Sequence, residues 1–501
     1  MDALPHILNG FTVALQPVNI FYVFLGCVMG TVIGVLPGIG PAAGIALLLP
    51  LTTGMEPTSA LILLAGIYYG AMYGGSTTAI LINTPGESGS VMTTLDGYQM
   101  ARNGRAGAAL AISASASFIA GTAGIVLLTL LAVPLSQFAL RFGPAEYFML
   151  MVFALTAAAS LGGNSFAKGL LATVLGLVIA TVGVDLQSGQ ARYTFGLPQL
   201  QEGFSFIVVV VGLFAVSEVF VAIEDYLSGA AKPMRVTGPI WITREEWRRS
   251  VKPIARGGLL GFLVGVLPGA GSTIATILAY SMEKRASRHP EQFGKGAIEG
   301  VAGPEAANNA STCGAMVPLL TLGVPGSGAT AIIMGAFIVY GIQPGPLLFQ
   351  SQPALVWGLI DSMYLGNVML LLLNLPLVGL FVRVLYIPTG IMLPLILAIS
   401  SIGVYTVNNS VFDLYVALAF GGLGYAFRKL GVPAAPLVLA LVLGGMMEQS
   451  FRQAMTISSA NPAIFVQSGI SVTLLAAAAL SVVLPIVATR RARKRKEGQA
   501  P

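Results

Sequence analysis

Gly265-Val266-Leu267-Pro268-Gly269-Ala270-Gly271-Ser272 interrupts an apolar run, Gly257 to Met282, that is otherwise long enough for one membrane helix. Proline removes a backbone donor and small residues tolerate non-helical angles, so the stretch predicts a helix halted near its middle. Nearly the same words stand earlier, as Gly34-Val35-Leu36-Pro37-Gly38-Ile39-Gly40-Pro41. Broken apolar helices in corresponding halves of a chain point to a transporter's binding site.

The rest of the composition agrees with a membrane setting. The chain has 501 residues, 55% hydrophobic and 9% charged, against about 25% charged in soluble domains. Its 61 glycines and 29 prolines lie within the apolar runs, where membrane helices pack closely or break. A net charge of +6 is concentrated in the tail Arg490 to Lys496, which suits a cytoplasmic end beside anionic lipid rather than nucleic acid. Cys27 and Cys313 sit in apolar surroundings and read as buried small hydrophobes. His6 and His289 lie outside the apolar runs, so no zinc cluster and no histidine-based triad is expected. No Lys or Arg precedes Arg102, so the N-terminus lacks a signal peptide's basic region and reads as an uncleaved first span.

The fold class expected is an all-α polytopic membrane protein. Apolar runs recur along the chain and give about 10–12 membrane segments at about 20 residues per crossing. Gly75-Ser76-Thr77-Thr78 leading to Asn83-Thr84-Pro85-Gly86 is echoed by Ser311-Thr312 leading to Gly323-Val324-Pro325-Gly326-Ser327. The chain therefore divides into a first repeat, 12–226, a basic interfacial linker, 227–256, and a second repeat, 257–450. A final span, 468–488, and a basic tail, 489–501, follow.

Charge orients the repeats. After its break, the second repeat carries Lys284, Arg285, Arg288 and Lys295, whereas the matching loop of the first, Gly54 to Thr58, has only Glu56. Further on the bias reverses: Arg102 and Arg105 match the uncharged Tyr340 to Gly345. Equivalent loops then face opposite sides, the mark of an inverted-topology repeat. Gly257 to Leu267 is only about 16 Å of helix, half a hydrocarbon core. A re-entrant helical hairpin follows, with its tip, Pro268 to Ser272, at the midplane and a copy at Pro37 to Pro41; one kinked crossing is the alternative. The C-terminus is expected in the cytoplasm and the N-terminus in the periplasm.

Broken helices expose N–H and C=O groups at membrane depth, where N-termini attract anions and carbonyls suit a hard cation such as sodium. The candidate substrate and ion ligands are Pro37, Gly38 and Gly40 with Gly269, Gly271 and Ser272 at the tips. Around the second pair of breaks they are Ser76, Thr77, Thr78, Asn83, Thr84, Pro85 and Gly86, with Asn308, Asn309, Ser311, Thr312, Gly323, Pro325, Gly326 and Ser327. All the side chains are neutral, so a carboxylate substrate is expected to be held by amides, hydroxyls and helix dipoles rather than by arginine. Glu305 and Asp361 are the charged candidates within the spans. Any one Ser or Thr taken alone is more simply a helix-packing contact; their duplicated clustering carries the functional reading.

Tyr69-Gly70-Ala71-Met72-Tyr73-Gly74-Gly75-Ser76-Thr77, Asn83-Thr84-Pro85-Gly86-Glu87, Asp96-Gly97-Tyr98-Gln99-Met100-Ala101 and Gly104-Arg105-Ala106-Gly107 closely resemble the large membrane subunit of the tripartite tricarboxylate transporters, the TctA family. Gly303-Pro304-Glu305-Ala306-Ala307-Asn308-Asn309-Ala310 and Gly323-Val324-Pro325-Gly326-Ser327 resemble its second signature. The resemblance spans roughly residues 12 to 450. It implies a secondary transporter of the bacterial inner membrane, driven by a sodium gradient and without an organic cofactor. A small integral membrane subunit and a periplasmic solute-binding protein that delivers a di- or tricarboxylate are the implied partners. The competing readings are an ion channel or scaffold subunit without a substrate site, and an intramembrane enzyme. The spans supply no histidine for the latter.

Overall fold

The computed structural model describes residues 3–36, 38–161, 165–185, 187–228, 240–386 and 389–497. It is a helical assembly with one two-stranded hairpin, Gly183–Val184 with Ala191–Arg192, in a polar connection. Seven described helices are long and apolar enough to cross a bilayer: Pro17–Val35, Ser88–Ala139, Pro144–Leu161, Phe206–Glu224, Pro353–Asn374, Gly390–Asn408 and Val411–Leu430. Shorter apolar helices, Pro41–Thr52, Phe166–Ala180, Gly328–Val339 and Gly469–Val483, supplement them.

Two helices form the centre. Pro57–Ile82 is buried from Thr58 to Leu81, and Glu299–Leu322 from Gly300 to Thr321. Each is gripped by a helix with glycine at every fourth position, which puts the glycines on one face. A Cβ on Gly26, Gly30 or Gly34 would collide with the carbonyl oxygen of Leu63, Ile67 or Ala71 respectively. In the second half, Gly257, Gly261 and Gly265 meet the carbonyls of Gly303, Ala307 and Ser311 in the same way. Gly74 packs on Thr31 and Gly34, and Gly314 packs likewise on Phe262 and Gly265. The two halves thus repeat one contact pattern position by position.

Both glycine-striped helices stop at the expected words. Pro17–Val35 ends before Gly38, and Arg244–Gly265 before Gly269; these glycines take φ +86° and +77°, which side-chain-bearing residues rarely adopt. The chain then starts new helices, Pro41–Leu48 and Gly271–Ala286. In the second half the arms lie side by side, tied by Arg256 to Glu283 at 2.5 Å.

The structure departs from the sequence expectation in the second arm. Its helix begins at Arg244, where Thr243 and Glu246 form a capping box, and runs 22 residues, about 33 Å at 1.5 Å per residue. Gly257 to Leu267 is therefore not a half-length helix. Much of the stretch assigned to a linker, including Trp247 and Arg249, is the start of that arm. A further helix, Ala3–Ala14, precedes the expected first run and packs on Pro353–Asn374. At the other end, helix Gly469–Glu497 carries the last apolar run straight into the basic tail.

The basic loops gather at one end. Arg105 pairs with Glu246, and Arg249 with Glu299 at 2.8 Å. Asp96 accepts from the N–H groups of Gly294, Gly296 and Ala297, each at 2.8 Å, and from the Tyr280 hydroxyl at 2.9 Å. The middle of helix Val91–Met100 therefore docks on the base of the second hairpin. Reciprocally, Tyr340, at the end of Gly328–Val339, hydrogen-bonds the carbonyl of Thr52 at the base of the first.

Candidate functional site

Each central helix ends in a left-handed residue, Asn83 at φ +57° and Gly323 at φ +68°, which turns the chain sharply back. A short extended loop follows in each half, and Glu87 and Ser327 then cap the next helical turn through reciprocal bonds with Ser90 and Thr330. The second loop closes against its broken tip, where Gly269 N–H donates to the Gly326 carbonyl at 3.0 Å, whereas in the first loop Gly86 N–H donates to the Gly75 carbonyl of the central helix at 3.2 Å.

Tips and loops enclose a cavity of about 760 Å³, within the range of small-molecule sites. Its walls include Gly38, Gly40 and Pro41 from the first tip, and Gly269, Gly271, Ser272 and Thr273 from the second. Pro85 to Ser88 come from the first loop, and Ser327 to Ala329 from the second. Helices Pro41–Leu48, Gly271–Ala286 and Gly328–Val339 all begin at this wall. Converging N-termini direct unsatisfied N–H groups and positive dipole ends inward, an arrangement that attracts an anion. Across the cavity the two halves exchange side-chain bonds: Asn308 Nδ2 donates to Glu87 Oε1 at 2.9 Å, and Tyr68 Oη meets Ser327 Oγ at 3.2 Å. Thr273 Oγ1 donates to Ser88 Oγ at 2.8 Å, which pins the second tip to the first loop.

The expected residues fall into three groups. Gly38, Gly40, Pro85, Gly86, Gly269, Gly271, Ser272 and Ser327 line the cavity. Asn308, Gly323, Pro325 and Gly326 do not line it, although Asn308 bonds the wall residue Glu87 and Gly326 the wall residue Gly269. Ser76, Thr77, Thr78, Asn309, Ser311 and Thr312 are buried within the central helices. Several of the last group belong to a separate cluster. Ser76 donates to Glu305 at 2.5 Å, joined by Thr93, by Ser113 at 3.1 Å and by Ser117 at 3.4 Å, while Asn309 donates to Ser117 at 2.6 Å. Asn83 and Thr84 are exposed at a helix end and do not line the cavity. Pro37 lies outside the described residues.

The cavity also holds charge that the sequence reading did not assign to it. Arg428 lines the wall beside the first tip, ion-paired to Glu218. A Cβ on Gly38 would sit 3.4 Å from Arg428 Nη2 and 3.6 Å from Glu218 Oε2. The expected neutral lining is therefore incomplete: a guanidinium, paired to Glu218, also faces the cavity. Arg428 stands in the last turn of helix Val411–Leu430 and was not among the candidate residues. Glu87 was visible only as part of a motif, its partner Asn308 lying far along the chain. Asp361, the other charged candidate, is fully buried on Pro353–Asn374, and neither carboxylate oxygen has a hydrogen-bond partner. Cys27 and Cys313 are buried free thiols, as expected.

The Tripartite tricarboxylate transporter TctA family profile matches residues 20–439. The chain belongs to the TctA family. It is thus a multi-pass membrane subunit of a tripartite tricarboxylate transporter, and the family comprises transporter components, not enzymes. An uncharacterised 52.8 kDa protein in the TAR-I ttuC' 3' region of Agrobacterium vitis is 48% identical over 496 residues, covering 99% of both chains. An uncharacterised protein in the TAR-II ttuC' 3' region of the same organism is 47% identical over 234 residues, 47% of this chain and 97% of that one. No solved structure matches the chain. The match takes in both tips, both loops and Arg428, so the whole cavity wall lies within the TctA region.

Proposed function

We propose that this TctA chain is the carrier subunit, importing a di- or tricarboxylate delivered by a periplasmic binding protein and coupling that import to sodium entry. The observation that carries the reading is the convergence of two duplicated helix breaks on one cavity large enough for a small carboxylate. Helix N-termini and Arg428 supply the positive potential that an anion requires. The reciprocal docking of each half on the other supports two inverted repeats with re-entrant tips. Gathering of Arg105, Arg249, Arg256 and Lys295 around one end supports reading that end as cytoplasmic in the bacterial inner membrane. The C-terminus is then cytoplasmic and the N-terminus periplasmic, and a small integral membrane subunit completes the complex.

The test is reconstitution of the three components in proteoliposomes with labelled di- and tricarboxylates. The reading expects saturable uptake that needs the binding protein and an inward sodium gradient. Carboxylate-independent ion current with no saturable uptake would contradict it and favour a channel.

A further inference from the structure

We propose a sodium site formed by Glu87, Asn308 and Ser272 beneath Gly89, on one side of the cavity and absent from the equivalent place in the other half. The inference rests on the carrier reading above and adds where its coupling ion binds.

Three oxygens converge at this place. Asn308 Oδ1, Ser272 Oγ and Glu87 Oε1 all lie within 2.8 Å of the point where a Cβ on Gly89 would stand. They come from three separate elements: the central helix Glu299–Leu322, the second tip, and the first loop. Asn308 Oδ1 is fully buried and has no hydrogen-bond partner. Its orientation is determined, because Asn308 Nδ2 donates to Glu87 Oε1 at 2.9 Å and a flipped amide would set two acceptors together. An orphaned carbonyl oxygen beside a carboxylate and a hydroxyl is a hard, singly negative donor set, which suits a small monovalent cation. Among the described residues no group of three or more His, Cys, Asp or Glu side chains gathers to hold a metal ion, which fits such a set better than a transition-metal site.

The matching positions of the other half make the contrast. The shared glycine-stripe register places Tyr68 opposite Asn308, Ser327 opposite Glu87, Pro41 opposite Ser272 and Ala329 opposite Gly89. There the carboxylate, the amide oxygen and the tip hydroxyl are all missing, and a real Cβ stands where Gly89 carries none. The repeat does not require these residues, so their meeting in one half calls for a separate cause.

The placement also explains coupling. Glu87 and Ser272 both line the substrate cavity, and an uncompensated Glu87 carboxylate would repel a carboxylate substrate. Sodium there cancels that charge and bridges the second tip to the first loop. By linkage, bound sodium raises carboxylate affinity and bound carboxylate raises sodium affinity by the same factor.

The test titrates the purified full chain with sodium chloride against choline chloride at constant ionic strength, reading thermal stabilisation, alongside sodium-dependent uptake by the reconstituted complex. Wild type is expected to gain stability with sodium. Gly89→Ala, which fills the site, is expected to raise half-saturating sodium by roughly tenfold or more, the scale of one lost oxygen contact. Gly379→Ala, which meets open space outside the cavity wall, is expected to leave half-saturating sodium unchanged. Should Gly89→Ala fail to fold, Ser272→Ala removes one hydroxyl oxygen and Asn308→Ala removes the amide oxygen together with its bond to Glu87, and each should raise half-saturating sodium. Unchanged sodium half-saturation in the variants that fold overturns the site while leaving the carrier reading intact. Carboxylate uptake by wild type that ignores sodium overturns it too, whereas absence of any saturable uptake removes the carrier reading itself.

Discussion

Asn308 donates its amide to Glu87 across 2.9 Å, and the same position in the other half is filled by Tyr68 reaching Ser327 at 3.2 Å. Each bond crosses from one half's central helix to the other half's capping loop. The pair therefore locks the halves around the cavity, with unlike chemistry at like places. Tyr68→Phe removes one buried neutral bond and should lower stability by about 1 kcal/mol. It should leave sodium dependence unchanged, as thermal melting and uptake together would reveal.

The glycine stripes predict matched sensitivity in both halves. Gly34→Ala and Gly265→Ala each drive a methyl into a carbonyl of the central helix, and overpacking of this kind costs about 1–3 kcal/mol. Gly379→Ala, which meets open space, is the control and should melt like wild type. Equal melting of all three variants would show that the close approach of these helices contributes nothing.

Asn83 acts through its backbone. It holds φ +57° at an exposed helix end, so Asn83→Gly should be tolerated. Asn83→Val should cost about 1–2 kcal/mol from the left-handed strain. Neither should alter substrate half-saturation in folded protein, because the side chain does not line the cavity. A large rise in half-saturation with Asn83→Gly would bring that residue back into the ligand shell.

Arg428 should set carboxylate affinity. A charge-assisted bond is worth about 1.5–3 kcal/mol, so Arg428→Ala should raise the substrate KM roughly ten- to hundredfold. Arg428→Lys keeps the charge, loses the two-pronged geometry, and should recover only part of the loss. Uptake kinetics at saturating sodium measure both.

Much of this architecture was legible in the chain because its determinants are local. Pro268 with Gly269, and the matching words around Gly38, stop a helix wherever they stand, and the duplicated polar words at Ser76 and Ser311 fall on the two central helices. What escaped depends on tertiary position. Arg244 to Arg256 is polar enough to hide a helix start that its capping box fixes. Arg428 reaches the first tip from a helix hundreds of residues away, and Glu87 acquires its meaning only when Asn308 folds against it. The neutral candidates divided for the same reason: spacing placed Ser76 and Asn309 near a break, but packing turned them toward Glu305.

The most direct test asks whether carboxylate occupies the cavity between the tips. Cys27 and Cys313 are buried, so single cysteines can be introduced at Ala42 and Ser88 in the cavity wall, with Asn83→Cys as an outside reference. Maleimide labelling of the assembled transporter is then timed with and without saturating di- or tricarboxylate in sodium. Substrate should slow labelling of Ala42→Cys and Ser88→Cys and leave Asn83→Cys unchanged. Equal labelling rates at the cavity positions, under conditions that saturate uptake, would contradict the account.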